Sequence, residues 1–398
     1  MSDKKGISPG RQALEKLFKN RIAQLSFGVI LLFIITAILG PFLRPDHSPD
    51  ANTQLLSISR MKPGFEADLL MVRKNEAYIK PNFFTCIADG GWENCSDYVP
   101  LASWNISQDS VHYTPIGEEE SFTMALVEVL FHVNNGNYKK TSSGYSVEHF
   151  MDGKLVLEEF TMAELEELSS EAVAQKTYLL GTDKYGRDYL SRLMAGTSIS
   201  ISVGFIAVFI SLLIGILLGL LAGYYGGRTD DLIMWFINVI WSIPTLLMVM
   251  AITLVFGKGF WKVFLAVGLT MWVEVARIVR GQVMATRELD YVTAAKSLGF
   301  SDLRIMLKHI LPNIFSPVIV VTAANFAAAI LIEAGLSFLG IGAQVPTPSW
   351  GNMIKEHYAY ITTDYAYLAI LPGICIMVLV LAFMLLGNAL RDGLDVRN

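Results

Sequence analysis

The sequence predicts an all-α polytopic membrane protein with six transmembrane helices, both termini cytoplasmic, and a large extracytoplasmic α+β insert between helices 1 and 2. Three observations carry this. Of the 398 residues 53% are apolar and only 17% charged, against about 25% charged in soluble domains, so lipid is the solvent for much of the chain. No charge falls between Arg21 and Arg44, Arg192 and Arg228, Asp231 and Lys258, or Asp364 and Arg391, and about 20 apolar residues cross a hydrocarbon core in which a charge costs kilocalories. The segment from Arg44 to Ser198, by contrast, holds 13 Lys/Arg and 23 Asp/Glu. The formal net charge of -5 therefore joins -10 in that segment to +5 elsewhere. A chain of this balance gives no ground for a nucleic-acid partner.

Residues 1–21 form a cytoplasmic segment carrying Lys4, Lys5, Arg11, Lys16, Lys19 and Arg21. Helix 1, 22–43, is too long for a signal-peptide core and ends at Pro41 and Arg44 instead of a small-residue cleavage site, so it reads as a retained anchor. The insert, 44–198, is long enough for a small α+β domain. Stretches around Tyr78–Thr85 and Phe122–Phe131 are candidate strands, and Thr161-Met162-Ala163-Glu164 has the spacing of a capping box opening a helix. Cys86 and Cys95 flank Gly90-Gly91 where an oxidising compartment lets them close a hairpin as a disulfide, the alternative being two free thiols. Cys375 is a small apolar residue of the last span.

The remaining segment, 199–398, supplies helices 2–6 at about 199–225, 232–256, 260–278, 316–342 and 367–389, with Glu274 and Glu333 interrupting the fourth and fifth. Gly215, Gly219 and Gly223 share one face of helix 2 and, with Gly204, permit close helix contact. Pro244 predicts a kink in helix 3. Glu274 lies three residues before Arg277, the spacing of a local ion pair at the cytoplasmic edge, with a proton relay as the alternative. Orientation follows the Lys/Arg bias. With the N-terminus inside, the cytoplasmic loops hold Arg228, Arg277, Arg280, Arg287, Lys296, Arg304, Lys308, Arg391 and Arg397, while the short external loops hold Lys258, Lys262 and Lys355.

Catalytic signatures are missing: no P-loop, no G-x-S-x-G, no H-E-x-x-H and no paired C-x-x-C, and the six histidines lack metal-ligand spacing. The informative stretch is the cytoplasmic loop 288–313. Tyr291-Val292-Thr293-Ala294-Ala295-Lys296-Ser297-Leu298 reads as a short smooth helix stopped by Gly299. Ser301 is a suitable N-cap for a second helix in which Leu303, Met306, Leu307 and Ile310 share a face, and Pro312 ends it. Such an element suits docking of another protein, the alternative being an amphipathic loop lying on the membrane.

The order Ala294-Ala295, Gly299, Leu311-Pro312 resembles the E-A-A-x3-G-x9-I-x-L-P loop of binding-protein-dependent ABC importer permeases, with Thr293 for the Glu and His309 for the Ile. Further blocks resemble the dipeptide/oligopeptide/nickel subfamily: Leu180-Gly181-Thr182-Asp183-Lys184-Tyr185-Gly186-Arg187-Asp188, Gly223-Tyr224-Tyr225-Gly226-Gly227, Glu333-Ala334-Gly335-Leu336-Ser337-Phe338-Leu339-Gly340 with Ser349-Trp350-Gly351, and Leu390-Arg391-Asp392-Gly393. Trp235, Asn238, Asn388 and Val396 depart from residues usual in that subfamily. The insert, more than a hundred residues long, has no counterpart in it.

The resemblance implies a permease subunit of the bacterial inner membrane that takes up di- or oligopeptides, the alternative being nickel or another small solute. It implies a sister permease, two cytoplasmic ABC ATPase domains that hold ATP and Mg, an extracytoplasmic solute-binding protein, surrounding lipid, and no cofactor on this chain. Tyr291, Thr293, Ala294, Ala295, Ser297, Leu298, Gly299, Ser301, Leu303 and Pro312 would dock an ATPase. A receptor with an acidic external domain is the rival from another class; it needs a cytoplasmic signalling domain, for which about ten residues follow the sixth span.

Overall fold

A computed structural model describes residues 19–394 apart from Lys80, Asp152 and Lys258. Lys4, Lys5, Arg11 and Lys16, most of the expected segment 1–21, lie outside the described residues, as do Val396 and Arg397. The chain divides into two compact units, one of 1–37, 196–361 and 369–398 and the other of 38–195 and 362–368.

In the second unit, two antiparallel sheets form the α+β domain. Five strands run in the order β4-β3-β2-β1-β8, from β1 (Phe65–Arg73), β2 (Ser96–Ser107), β3 (Ser110–Pro115), β4 (Phe122–Ala125) and β8 (Val173–Tyr178). The strands β5 (Val133–Lys140), β6 (Gly144–Met151) and β7 (Lys154–Thr161) form the other sheet. Strand β1 is buried on both faces, since alternation sends Ala67 and Leu69 toward Ile58 and Tyr178 while Leu70 joins Leu126, Val129 and Leu165. Helix α4 (Met162–Leu168) opens on the capping box its sequence predicts: Thr161 Oγ1 accepts from Glu164 N, and Glu164 Oε2 accepts from Thr161 N at 2.8 Å. The two strand candidates resolve differently. Phe83–Ala88 is helix α2, capped by Asn82, and Phe122–Phe131 is strand β4 followed by helix α3 (Leu126–Leu130). Local side-chain capping of Thr85 N by Asn82 offers the backbone a helical start that its aromatic content hides.

Cys86 and Cys95 are unpaired, which corrects the expected disulfide. Cys86 is buried within α2, whereas Cys95, at the entrance to β2, accepts from Arg73 Nη1 at 3.0 Å.

The other unit is a helical bundle. Its helices are α1 (Arg21–Leu43), α5 (Tyr189–Tyr225), α6 (Gly227–Trp241), α7 (Thr245–Phe256), α8 (Phe260–Thr286), α9 (Asp290–Ser297), α10 (Asp302–Ile305), α11 (Phe315–Phe338), α12 (Trp350–His357) and α13 (Tyr367–Leu394), of which α1, α5 and α13 also have residues in the second unit. Among the described residues α1, α5, α11 and α13 are long and apolar enough to cross a membrane. The expected third span is broken: α6 and α7 meet at 89° around Ser242-Ile243-Pro244, far sharper than a kink, and together make a fifth span if they cross as one. Pro244 has no N–H to continue the ladder of α6 and starts α7 instead.

Helix α8 carries Lys262, Glu274, Arg277 and Arg280 along its length. Arg280 forms a two-pronged pair with Asp230 of α6 at 2.5 and 2.6 Å. Arg277 lies 3.8 Å from the Trp241 ring centre, and among the described residues no ion pair joins it to Glu274, so the expected local pair is replaced by a cation–π contact. The glycines of α5 do bring helices together. A Cβ at Gly215, Gly219 or Gly223 would lie 2.6–2.7 Å from the Cβ of Val275, Val279 or Val283 of α8, and Gly204 faces the Phe326 ring.

Candidate functional site

The loop after α8 is a helix-turn-helix element with one face locked into the bundle. Val292 and Ala295 of α9, Ile305 of α10, and Met306 and Ile310 beyond it are buried against Leu220 and Tyr224 of α5 and Val275, Val279 and Val283 of α8. Polar contacts fix the same arrangement. Tyr224 donates its hydroxyl to Asp302 at 2.7 Å, Arg287 Nη1 donates to the Gly223 carbonyl at the end of α5, and Lys296 stands over the Tyr224 ring. Gly299 stops α9 with φ +77°, a left-handed conformation, and open space around it. Burial raises the Tyr291 phenol pKa, while its hydroxyl accepts from Asn313 Nδ2 at 3.0 Å.

The opposite face is open and carries exposed leucines among polar and charged residues, including Lys296, Asp302, Arg304 and Lys308. Leu298 is 72% exposed, Leu303 63% and Leu307 48%, beside exposed Tyr291, Thr293, Ala294, Ser297, Gly299, Ser301 and Pro312. Two sequence expectations need correction here. Ala295 is buried and packs inward, so it cannot meet a partner, whereas Ala294 beside it is exposed. Leu303 and Leu307 do not share the buried face of Met306 and Ile310. A π-helical turn over Met306–Ile310 takes an extra residue per turn and rotates that face, bringing Ile305 inward. Ser301 occupies the N-cap position without a side-chain cap bond.

The remaining blocks are structural joints. In the second unit, Asp183 and Arg187 pair at 2.6 Å with both side chains 1% exposed, and Asp183 Oδ1 also accepts from the backbone N–H of Tyr185 and Arg187. Thr182 Oγ1 donates to Ile58 O and accepts from Met61 N, and Asp188 accepts from Ser191 N. Gly181 and Gly186 have positive φ and lie so close to the carbonyls of Met61 and Leu55 that any Cβ would overlap them. The block thus ties residues 55–61 to the start of α5.

In the bundle, Glu333 is buried in α11 and accepts from Ser337 Oγ at 2.6 Å. Ser337 Oγ in turn accepts from Ala343 N. Gly351 lies against the Ala334 carbonyl, Gly340 has φ +81° next to Lys355, and fully buried Trp350 meets Phe33 edge-on at 5.7 Å. Arg391 and Asp392 are exposed on α13. Arg391 lines a cavity of about 600 Å³ in which Glu274, Gln282 and Ser316 stand among Ile278, Val320 and Val321, an opening that sequence spacing alone does not disclose because its walls come from three helices.

A bundle of apolar helices, a cavity carrying four polar side chains and a clamped loop with exposed leucines fit a multi-pass membrane permease, the class that the relatives of this chain define. Residues 215–396 match the family model described as binding-protein-dependent transport system inner membrane component, and residues 8–63 match the N-terminal transmembrane domain of oligopeptide transport permease C. The oligopeptide transport system permease protein OppC of Bacillus subtilis (strain 168) is 37% identical over 57% of this chain and 74% of its own length. The glutathione transport system permease protein GsiD of Escherichia coli O6:K15:H31 is 43% identical over 54% of this chain and 71% of its own. A solved methionine ABC transporter, MetNI in an inward-facing conformation, is 16% identical over 51% of this chain and 96% of its own with a TM-score of 0.42, a likeness too slight to carry an argument.

The chain belongs to the binding-protein-dependent transport system inner membrane component family. It is a permease subunit, not an enzyme; the family works with ATPase and substrate-binding partners. Residues 64–214 lie outside both family models.

Proposed function

We propose that this chain is one half of a permease pair importing di- or oligopeptides, driven by two cytoplasmic ATPase domains that hold ATP and Mg and supplied by an extracytoplasmic binding protein. The peptide class is carried over from the oligopeptide and glutathione permeases it is similar to. Six spans, with α6–α7 and α8 as the third and fourth, keep both termini cytoplasmic and place residues 44–198 outside. The cavity along Glu274, Gln282, Ser316 and Arg391 is the part of the solute path that this subunit contributes.

The observation that carries the reading is the two-faced loop 288–313. One side is bonded and packed into α5 and α8, and the other presents Leu298, Leu303 and Leu307. A docked ATPase that binds the two bundle states unequally shifts their populations through such a loop. The test is uptake of labelled di- and oligopeptides into vesicles holding the purified assembly, with ATP and binding protein supplied. Accumulation that needs both is the expected result, and accumulation driven by a proton gradient without ATP refutes the reading.

A further inference from the structure

The first helix does not simply end in a loop. Helix α1 is followed at once by Arg44, which is only 3% exposed. Its guanidinium donates to the carbonyls of Asp46 at 2.6 Å, Ser48 at 2.6 Å and Gly90 at 2.5 Å. The last of these comes from a turn 46 residues further along the chain. That turn is held by more than Arg44. Trp92 N donates to His47 O at 3.0 Å, the His47 and Trp92 rings stack at 4.4 Å, and Gly91 lies so close to the His47 carbonyl that no other residue fits.

The consequence is the position of α2, whose Cys86 carbonyl accepts from Gly91 N at 2.8 Å. The ring of Phe83 stacks on Phe42, in the last turn of α1, at 5.1 Å, and Phe42 also meets Trp92 at 5.7 Å. Phe83 and Phe84 are nevertheless 52% and 79% exposed. An exposed apolar strip therefore runs without a gap from Ile38, Phe42 and Leu43 of the helix, which are 50%, 38% and 54% exposed, onto α2. Asn82 caps α2 at Thr85 N, and Arg44 holds the turn behind it.

We propose that α2 is a lipid anchor: Phe83 and Phe84 enter the interfacial layer of the leaflet that the C-terminal end of α1 meets. Phe side chains on the apolar face of an interfacial helix bury about 5–10 Å into the boundary between headgroups and acyl chains. The occupant is lipid because the strip continues, at its last turn, the exposed apolar surface of a helix long and apolar enough to span a membrane. Arg44 and the turn 89–92 hold the anchor rigidly, so the insert is fixed to the membrane surface at a second point besides the chain that leads into it. The inference needs α1 to span, and needs neither the orientation nor the substrate proposed above.

The test uses the full chain, purified with whatever subunits accompany it, in vesicles of phosphatidylethanolamine and phosphatidylglycerol. A photoreactive benzoylphenylalanine replaces Phe84, an aromatic exchange at an exposed site, or Leu157, which is 70% exposed on β7. Illumination should yield phospholipid adducts at position 84 several-fold above those at position 157. Adducts to a polypeptide at position 84, or lipid labelling no greater than at 157, overturn the proposal. Independently, the added fluorescence of Phe84→Trp should be quenched by lipids brominated near the headgroup and shielded from iodide; the reverse pattern also overturns it.

Discussion

Truncating the open face of the loop, Leu298→Ala with Leu303→Ala, separates docking from folding. Neither side chain is packed in this chain, being 72% and 63% exposed, so the bundle should fold as before. Leu to Ala removes about three carbons at about 0.8 kcal/mol for each buried CH₂, or about 2.4 kcal/mol for a side chain taken wholly from water to an interface. Scaled by the surface still open to burial, each truncation costs about 1.5 kcal/mol of association. That is about tenfold in dissociation constant, and about a hundredfold for the pair if the two add. The assay is capture of the ATPase subunits on immobilised permease over a concentration series, with ATP-dependent uptake measured beside it. Leu213→Ala, at a residue 64% exposed on α5, is the control and should change neither. A double variant that captures ATPase with undiminished affinity and transports at the parental rate refutes the docking face.

Gly219→Val should push α5 away from α8, because its Cβ would lie 2.7 Å from both Val279 Cβ and the Ala276 carbonyl; overpacking costs about 1–3 kcal/mol, read as a lower Tm, whereas Gly28→Ala has open space and should leave it unchanged. Asp183→Asn breaks the buried ion pair with Arg187, a loss of up to about 3–5 kcal/mol, and should open the insert to limited proteolysis. Lys74→Met, at the exposed pair with Asp97, should cost under about 1 kcal/mol. The Asp109 carboxyl is held below its ordinary pKa of 3.8 by hydrogen bonds from Lys140 and then Tyr145. A lowered folded-state pKa gives stability present above the unfolded value and lost as pH falls through the folded one. The acid limb of thermal stability should therefore be shallower in Asp109→Asn, and parallel limbs below about pH 4 argue against this role.

The apolar spans were legible because a charge in lipid is expensive whatever it touches, so the gaps from Arg21 to Arg44 and Arg192 to Arg228 mark helices without knowledge of neighbours. The capping box at Thr161 was legible for a similar reason, as its bonds close within four residues. Legibility fails where the deciding partner is distant in sequence. Arg277 turns to Trp241 and not to Glu274 because α6 lies beside α8, joined to it also by Asp230 and Arg280, and nothing within three residues of Glu274 signals that. The π-turn after Ile305 was equally hidden: α- and π-hydrogen bonding differ by one residue per turn, and the packing of Ile305 and Ile310 against α5 and α8 selects between them. Cys86 and Cys95 are close in sequence, yet one is enclosed in a helix and the other held at a strand entrance by Arg73.

The same contacts bear on how a displacement at the loop can travel. Val275, Val279 and Val283 of α8 face the glycines of α5 and also enclose Val292, Ile305 and Met306. One row of valines therefore belongs to both the helix-helix seam and the loop socket. A close-packed interior transmits strain instead of absorbing it, so a push on Leu298 or Leu303 moves the loop with α5 and α8 as one body. Compliance has to lie elsewhere, and the backbone offers it at the joints around α6 and α7: Gly226 and Gly227 with φ of +65° and +49°, the break at Ser242–Pro244, where α6 and α7 turn by 89°, and Gly257 and Gly259 between α7 and α8, with φ of +85° and +148°. Helix α7 is bounded by the last two, and hinge motions are absorbed by a few residues at element ends; because Val249 of α7 is buried with Val263, Phe264 and Val267 of α8, a change in its angle requires that contact to slide.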